Sequence, residues 1–185
     1  MPKNFPTLET KRLTLRDIRE SDTDAYQAFF QDYDLVRFLN ANIPWPYPDG
    51  AALSWIRDHL IAKQGKGLWA WAICSKENTD TFMGVIEIQI NDKVGSRGFW
   101  LGRPYWGKGF MSEAADAVLD YAFANLNVDK FLLENAVENT ASSKIKAKQG
   151  AKLLGIKDSA FVDKAITKSE NWELTKDSWL ARKKS

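Results

Sequence analysis

Along the chain, apolar and polar positions alternate in two distinct rhythms. Leu13, Leu15 and Asp17 interleave with Thr14 and Arg16, a period of two that predicts an opening strand within residues 11–18. Tyr26, Phe29, Phe30 and Tyr33 then recur at helical spacing and predict one helix over residues 21–39, with Ser21 or Asp22 accepting bonds from its first amides. Pro44, Pro46 and Pro48 exclude regular structure from residues 42–50, because each fixes φ and removes a donor. A second amphipathic helix is expected over residues 51–63. Residues 68–75 and 82–90 read as strands joined by a polar turn at 76–80. A further turn at 91–95 leads into a short strand over 97–102. The long helix that follows runs to about Leu126, its apolar stripe supplied by Ala114, Ala117, Val118, Tyr121 and Ala122. Residues 131–137 form another strand and 140–149 a short helix stopped by Gly150, and the remainder gives two more strands. This order predicts a mixed α/β fold occupying residues 1–185 as one domain.

Composition narrows the class without naming it. A chain of 185 residues with 26 basic and 24 acidic side chains carries a formal charge of +2. So even a balance argues against a direct nucleic-acid partner, which needs a concentrated cationic face. The single cysteine, Cys74, excludes an internal disulfide and a thiolate zinc cluster, and no metal is expected. No apolar stretch reaches the ~18–20 residues that span a bilayer, and residues 1–16 lack the apolar core of a leader. The expectation is a cytoplasmic protein with no membrane partner, either monomer or homodimer.

The chemistry concentrates in residues 97–111, a strand, a glycine-rich bend and a helix start. Free amides at a helix N-terminus, with the aligned dipole behind them, make an anion site. Gly107 and Gly109 let a ligand approach the backbone closely. A bare strand-to-helix turn is one reading. A nucleotide loop is a second, since Gly102-x-x-x-x-Gly107-Lys108 opens that motif, but Gly109 stands where a magnesium-binding Ser or Thr is needed. A coenzyme A pyrophosphate loop is the third.

Pro104-Tyr-Trp-Gly107-Lys-Gly109, followed by Phe110-Met-Ser-Glu-Ala114, resembles the loop of GNAT superfamily N-acetyltransferases. Pro104 departs from the usual Gln or Arg, as in the branch that resembles ribosomal-protein N-terminal acetyltransferases. Asn139-x-x-Ser142 with Lys148-x-Gly150 resembles the family's second block, and residues 11–16 and 172–179 also match that branch. The resemblance implies a central mixed sheet whose fourth and fifth strands splay apart, flanked by helices, with acetyl-CoA as cosubstrate. It assigns the coenzyme to Leu101, Gly102, Arg103, Trp106, Gly107, Lys108, Gly109, Phe110, Met111, Asn139 and Ser142. A backbone amide near Leu101 would polarise the thioester, and Ser142 (or Ser143, one register away) would protonate the leaving thiolate.

Two carboxylates, Glu87 and Glu134, stand open as the base that takes the amine's proton, since Ser96 occupies a position where the branch often has Glu. Each also reads as a solvated strand residue, the commoner role for a carboxylate on a strand, so the base is left open. Lys144, Lys146 and Lys148 read as contacts to the coenzyme's 3′-phosphate or as a solvated face. His59 is expected to be non-catalytic and Cys74 to pack as a small apolar group.

The resemblance places the acceptor between residues 40–50 and 164–171. Trp45, Tyr47 and Trp55 are candidate walls, and Asp49 and Glu170 candidate attractors of a cationic amine. Direct acetyl transfer to the N-terminal amine of a protein is the leading expectation. A small amine (polyamine, amino acid or antibiotic) and a non-catalytic acyl-CoA-binding protein are the alternatives.

Overall fold

The computed structural model describes residues 5–182. The domain extent of 1–185 and the reading of residues 1–16 therefore fall partly outside the described residues. Eight strands form one sheet: β1 (Leu8–Glu9), β2 (Leu13–Asp17), β3 (Leu68–Ser75), β4 (Phe82–Asn91), β5 (Val94–Leu101), β6 (Lys130–Ala136), β7 (Lys152–Asp158) and β8 (Lys168–Thr175), ordered β1-β2-β3-β4-β5-β6-β8-β7. Every neighbouring pair is antiparallel except β5 and β6, which are parallel.

Helices cover both faces, which is why the central strands are apolar on both sides. The helices are α1 (Thr23–Phe29), α2 (Tyr33–Val36), α3 (Ala51–Ser54), α4 (Phe110–Asn125), α5 (Thr140–Lys148) and α6 (Lys176–Arg182). Leu15, Trp71, Ile73, Ile86 and Ile88 pack with Val118 and Leu119 of α4. On the opposite face Ala70, Ala72, Cys74 and Val85 pack with Tyr26, Phe30 and Ile56. Cys74 is thus a buried free thiol among apolar neighbours.

The pattern and the fold part in several places. The helix expected over 21–39 is two short pieces, because Asp32 takes an extended conformation and its carboxylate accepts from the Asp34 amide, starting a new helix. Neither Ser21 nor Asp22 caps the first piece; the Asp22 carboxylate is buried against Arg16 and the Arg19 amide instead. The second expected helix begins as α3 but widens into a π-helix over Trp55–Ile61. Finally, β5 begins at Val94 because Asp92 and Lys93 both adopt positive φ (45° and 67°), closing a two-residue hairpin tighter than the expected turn. Strand β1 and helix α6 had no period long enough to predict them.

β5 and β6, the fourth and fifth strands when β1 is not counted, pair only at Val94–Lys130 and Gly95–Phe131. Beyond those two rungs they separate. Gly95 sits at the apex, where a Cβ would lie 2.3 Å from the Phe131 ring, so only glycine lets that ring, packed edge-on against Phe123 of α4, lie over the last paired rung.

Candidate functional site

The loop after β5 is a 3₁₀ turn, Arg103–Tyr105, followed by two glycines with left-handed backbone: Gly107 at φ 72° and Gly109 at φ 78°. Gly109 is the residue immediately before α4. The first bond of the new helix runs from Glu113 N–H to the Gly109 carbonyl, and the amides of residues 107–112 donate to no acceptor among the described residues. Nothing lies within 4 Å of a Cβ built on Gly107. Open donors converge with a helix dipole here, an arrangement suited to a diphosphate.

A brace holds this loop that the pattern reading did not assign. Glu113 accepts from Thr10 Oγ1 (2.7 Å), the Arg12 amide (2.8 Å) and Arg12 Nε (2.7 Å). Arg12 also donates to the Lys108 carbonyl at 2.9 Å and lies over the Phe110 ring. Burial by itself would push the Glu113 carboxyl up, but the bonds from Thr10 and Arg12 outweigh it and hold it below its ordinary value.

On β5 the hydrogen-bond alternation decides which groups are open. The Gly102 amide donates across to Met83 of β4 at 2.8 Å, so its amide is committed to the sheet. One residue earlier, the Leu101 main chain points the other way, into the gap beside β6. Its carbonyl accepts from Trp106 Nε1 at 2.7 Å, which orients that half-exposed indole at the mouth of the gap. Arg103 turns away: its guanidinium pairs with Asp32 and Asp34 at 2.9 and 2.8 Å, both outside the loop. Met111 is buried beneath the helix start, and the Lys108 side chain is exposed.

Helix α5 brings up the far side. Asn139 caps it, its Oδ1 accepting from the Ser142 amide at 3.2 Å, which leaves the amide hydrogens for another partner. Ser142 is buried and accepts from Lys146 Nζ at 2.6 Å. Ser143, the alternative hydroxyl, donates to Glu170 Oε2 at 2.6 Å and is spent there. The lysine triplet separates by helix face: Lys144 and Lys148 are exposed, whereas Lys146 is 2% exposed. Its burial is a feature that the regular Lys spacing concealed.

Across the sheet, a cleft of about 1020 Å³ opens between the helices of residues 23–61 and the β4–β5 hairpin. Tyr26, Ile43, Tyr47, Trp55 and Trp100 make its walls apolar, and Glu87 is a carboxylate on its strand floor. Burial raises the Glu87 carboxyl above its ordinary value. The cleft reaches Gly98 and Phe99, on the strand that borders the gap. Asp49 lies at this cleft, as does His59, stacked 4.0 Å from Trp55 and held below its ordinary pKa by burial and by Lys63.

Other expected residues sit elsewhere. Trp45 packs on Tyr33 rather than lining the cleft. Glu170 faces the opposite side, accepting from Ser143, Asn135 and Trp172. Glu134 does not line the cleft; Ser159 and Lys157 take its oxygens at 2.9 and 3.3 Å. Burial alone would push Glu134 up, yet bonds from Ser169, Ser159 and Lys157 hold it below its ordinary value. Among the described residues no His, Cys, Asp and Glu cluster suits a metal ion, and no helix is long and apolar enough to cross a membrane.

Residues 12–152 match the acetyltransferase (GNAT) domain family. The chain belongs to the GNAT acetyltransferase family. An uncharacterized N-acetyltransferase, p20 of Bacillus licheniformis, is 33% identical to it over 147 residues, covering 75% of this chain and 78% of that protein. In fold, this acetyltransferase is similar to RimL, a ribosomal L7/L12 alpha-N-protein acetyltransferase solved with coenzyme A (TM-score 0.79, 17% identity, 94% of this chain and 99% of that one). It is also similar to Mycobacterium smegmatis RimJ, solved with a CoA-disulfide (TM-score 0.80, 20% identity, 94% and 88%).

Proposed function

We propose that this acetyltransferase moves the acetyl group of acetyl-CoA to the α-amino group of a protein N-terminus by direct attack. The observation that carries the reading is the continuity of the site. Open amides at residues 107–112 lead to the free edge of β5, and that edge borders a cleft floored by one raised carboxylate.

In this reading the helix-start amides hold the pyrophosphate and the pantetheine arm lies along Phe99 and Leu101 as an added strand would. The Leu101 amide steadies the oxyanion of the tetrahedral intermediate. Glu87 takes the amine's proton; its raised pKa brings it nearer to neutral, where a general base works best. Glu134, held down and engaged on both oxygens, is the weaker candidate. Ser142 protonates the sulfur from the α5 side, so acid and base act from opposite faces of the sheet. The likeness in fold to RimL and RimJ supports a protein N-terminus as acceptor.

The cleft's apolar walls favour a second reading, a small amine with an aromatic or aliphatic body. A volume of about 1020 Å³ lies just above the ~300–1,000 Å³ typical of small-ligand pockets.

Calorimetry with coenzyme A and with ATP tests the loop: coenzyme A should bind and ATP should not compete for it. Thiol release with a panel of N-terminal peptides and small amines then tests the acceptor. Turnover with apolar small amines but with no peptide would replace the first reading by the second.

A further inference from the structure

We propose that Lys146 is a positioning and proton-supplying residue: it delivers the proton that Ser142 passes to the departing coenzyme A thiolate, the two side chains acting as one relay. The proposal rests on the reading that Ser142 faces the thioester sulfur.

The geometry is unusual for a lysine. Lysine normally keeps its ammonium in water and buries only its stem. Here Nζ is drawn inside, 2.6 Å from Ser142 Oγ and one helical turn from it, with both side chains buried. Lys146 makes no ion pair among the described residues. An ammonium placed only for stability would reach a carboxylate or the surface, since burying an unpaired charge is costly.

The charged groups around Lys146 are Arg97 of β5, Glu170 of β8 and Glu134 of β6, with the Phe99 ring 5.7 Å away. Both carboxylates are engaged by other donors: Glu170 by Ser143, Asn135 and Trp172, Glu134 by Ser159 and Lys157. Arg97 is itself buried and fixed by Gln149, which Asp116 of α4 holds in turn. Desolvation, with repulsion from Arg97 added, lowers the Lys146 ammonium to about 7. An ordinary lysine at ~10.4 is a weaker acid than a thiol at ~8.5 and would not give its proton up to a thiolate. Lowered to about 7, Lys146 moves in the direction that such a transfer needs.

The step balances without any added reagent. The amine nitrogen bonds to the thioester carbon and yields a proton to Glu87. The tetrahedral intermediate collapses, the C–S bond breaks, and sulfur leaves with the electron pair. Sulfur takes the Ser142 hydroxyl proton as Oγ takes one from Nζ, leaving Lys146 neutral. Water restores that proton once the thiol has gone, and Glu87 releases its own to solvent.

The test is the pH profile of kcat in wild type, Lys146→Met, Ser142→Ala, the double variant and Arg97→Met, with coenzyme A affinity measured alongside. In wild type, kcat should fall on the alkaline side as Lys146 loses its proton. Lys146→Met should lower kcat about 30-fold or more and abolish that limb while leaving coenzyme A affinity within about threefold, and adding Ser142→Ala should cost little more. Arg97→Met removes the repelling cation and should move the limb to higher pH, which decides the matter even where Lys146→Met does not fold. Unchanged kcat, a retained limb in Lys146→Met, or an unmoved limb in Arg97→Met overturns the relay. Ser142→Ala with full activity overturns the placement beneath it as well. Loss in Ser142→Ala with none in Lys146→Met leaves that placement standing and ends only the relay.

Discussion

A Cβ added to Gly98 would stand 3.3 Å from Oε1 of Glu87, the residue directly across the β4–β5 pair. The missing side chain on one strand leaves room for the carboxylate on the other. That room lies on the cleft side of the sheet, which both residues line.

Gly98→Ala should therefore disturb the base and spare the coenzyme loop. A methyl at that distance obliges the carboxylate to shift by a few tenths of an ångström, and displacements of this order at a reacting group are expensive. The expected result is a kcat about tenfold lower with coenzyme A affinity unchanged, measured by thiol release and calorimetry. The methyl also excludes water from Glu87, so the acid limb of kcat/KM should move to higher pH.

Glu87→Gln removes the base outright. Turnover should fall by ~10²–10⁴-fold while coenzyme A still binds. Stability should respond in the opposite direction. Because burial raises the Glu87 pKa, its ionised form disfavours folding, and stability is lost as pH rises through that raised value. The amide carries no such penalty, so the variant's melting temperature at neutral pH should equal or exceed that of wild type. Full activity in Glu87→Gln would remove the carboxylate from the mechanism.

Gly109→Val addresses the loop alone. With φ at 78°, any L residue is strained, by about 1–2 kcal/mol and more for a branched one. The added side chain also points toward Arg12, whose Nη2 lies 3.5 Å from the Cβ position. Relief means turning the preceding amides out of their common direction. Coenzyme A affinity should drop at least tenfold by calorimetry, with secondary structure by circular dichroism retained.

The loop and the sheet were legible because each has a local cause. Glycine spacing at 107 and 109 announces left-handed backbone, and β-branched or aromatic runs announce strands. The cleft and the brace were not, because they depend on separation across the fold. Glu87 and Glu134 look alike as single residues on strands; which lines the apolar cleft and which meets Ser159 and Lys157 follows from tertiary neighbours. Lys146 shows the limit most directly. Its neighbours Lys144 and Lys148 share its chemistry and spacing, yet helix phase sends only Lys146 inward with Ser142, while the other two stay exposed. Alternating lysines carry no signal of which one is dry.

Glu113 joins the strand-side turn at Thr10 and Arg12 to the start of α4, and this linkage should be visible as a pH-dependent stability. Its pKa is held below the ordinary value because the bonds from Thr10 and Arg12 outweigh burial. A carboxyl depressed in the folded state contributes stability that is present above its unfolded pKa and lost as pH falls through the folded one. Glu113→Gln keeps the shape but cannot accept charge-assisted bonds from the guanidinium and two further donors; with Arg12 partly exposed and screened by water, it should cost about 1 kcal/mol at pH 7. The gap between wild type and variant should close as pH drops through the acid range, since protonated Glu113 also lacks the charge. Denaturant titrations at pH 7 and at pH 3 measure both ends. The same variant should weaken coenzyme A, because Arg12, released from Glu113, no longer holds the Lys108 carbonyl that keeps the neighbouring amides open. A variant equally stable to wild type at pH 7, with coenzyme A bound as tightly, would show that the loop keeps its shape from the glycines alone.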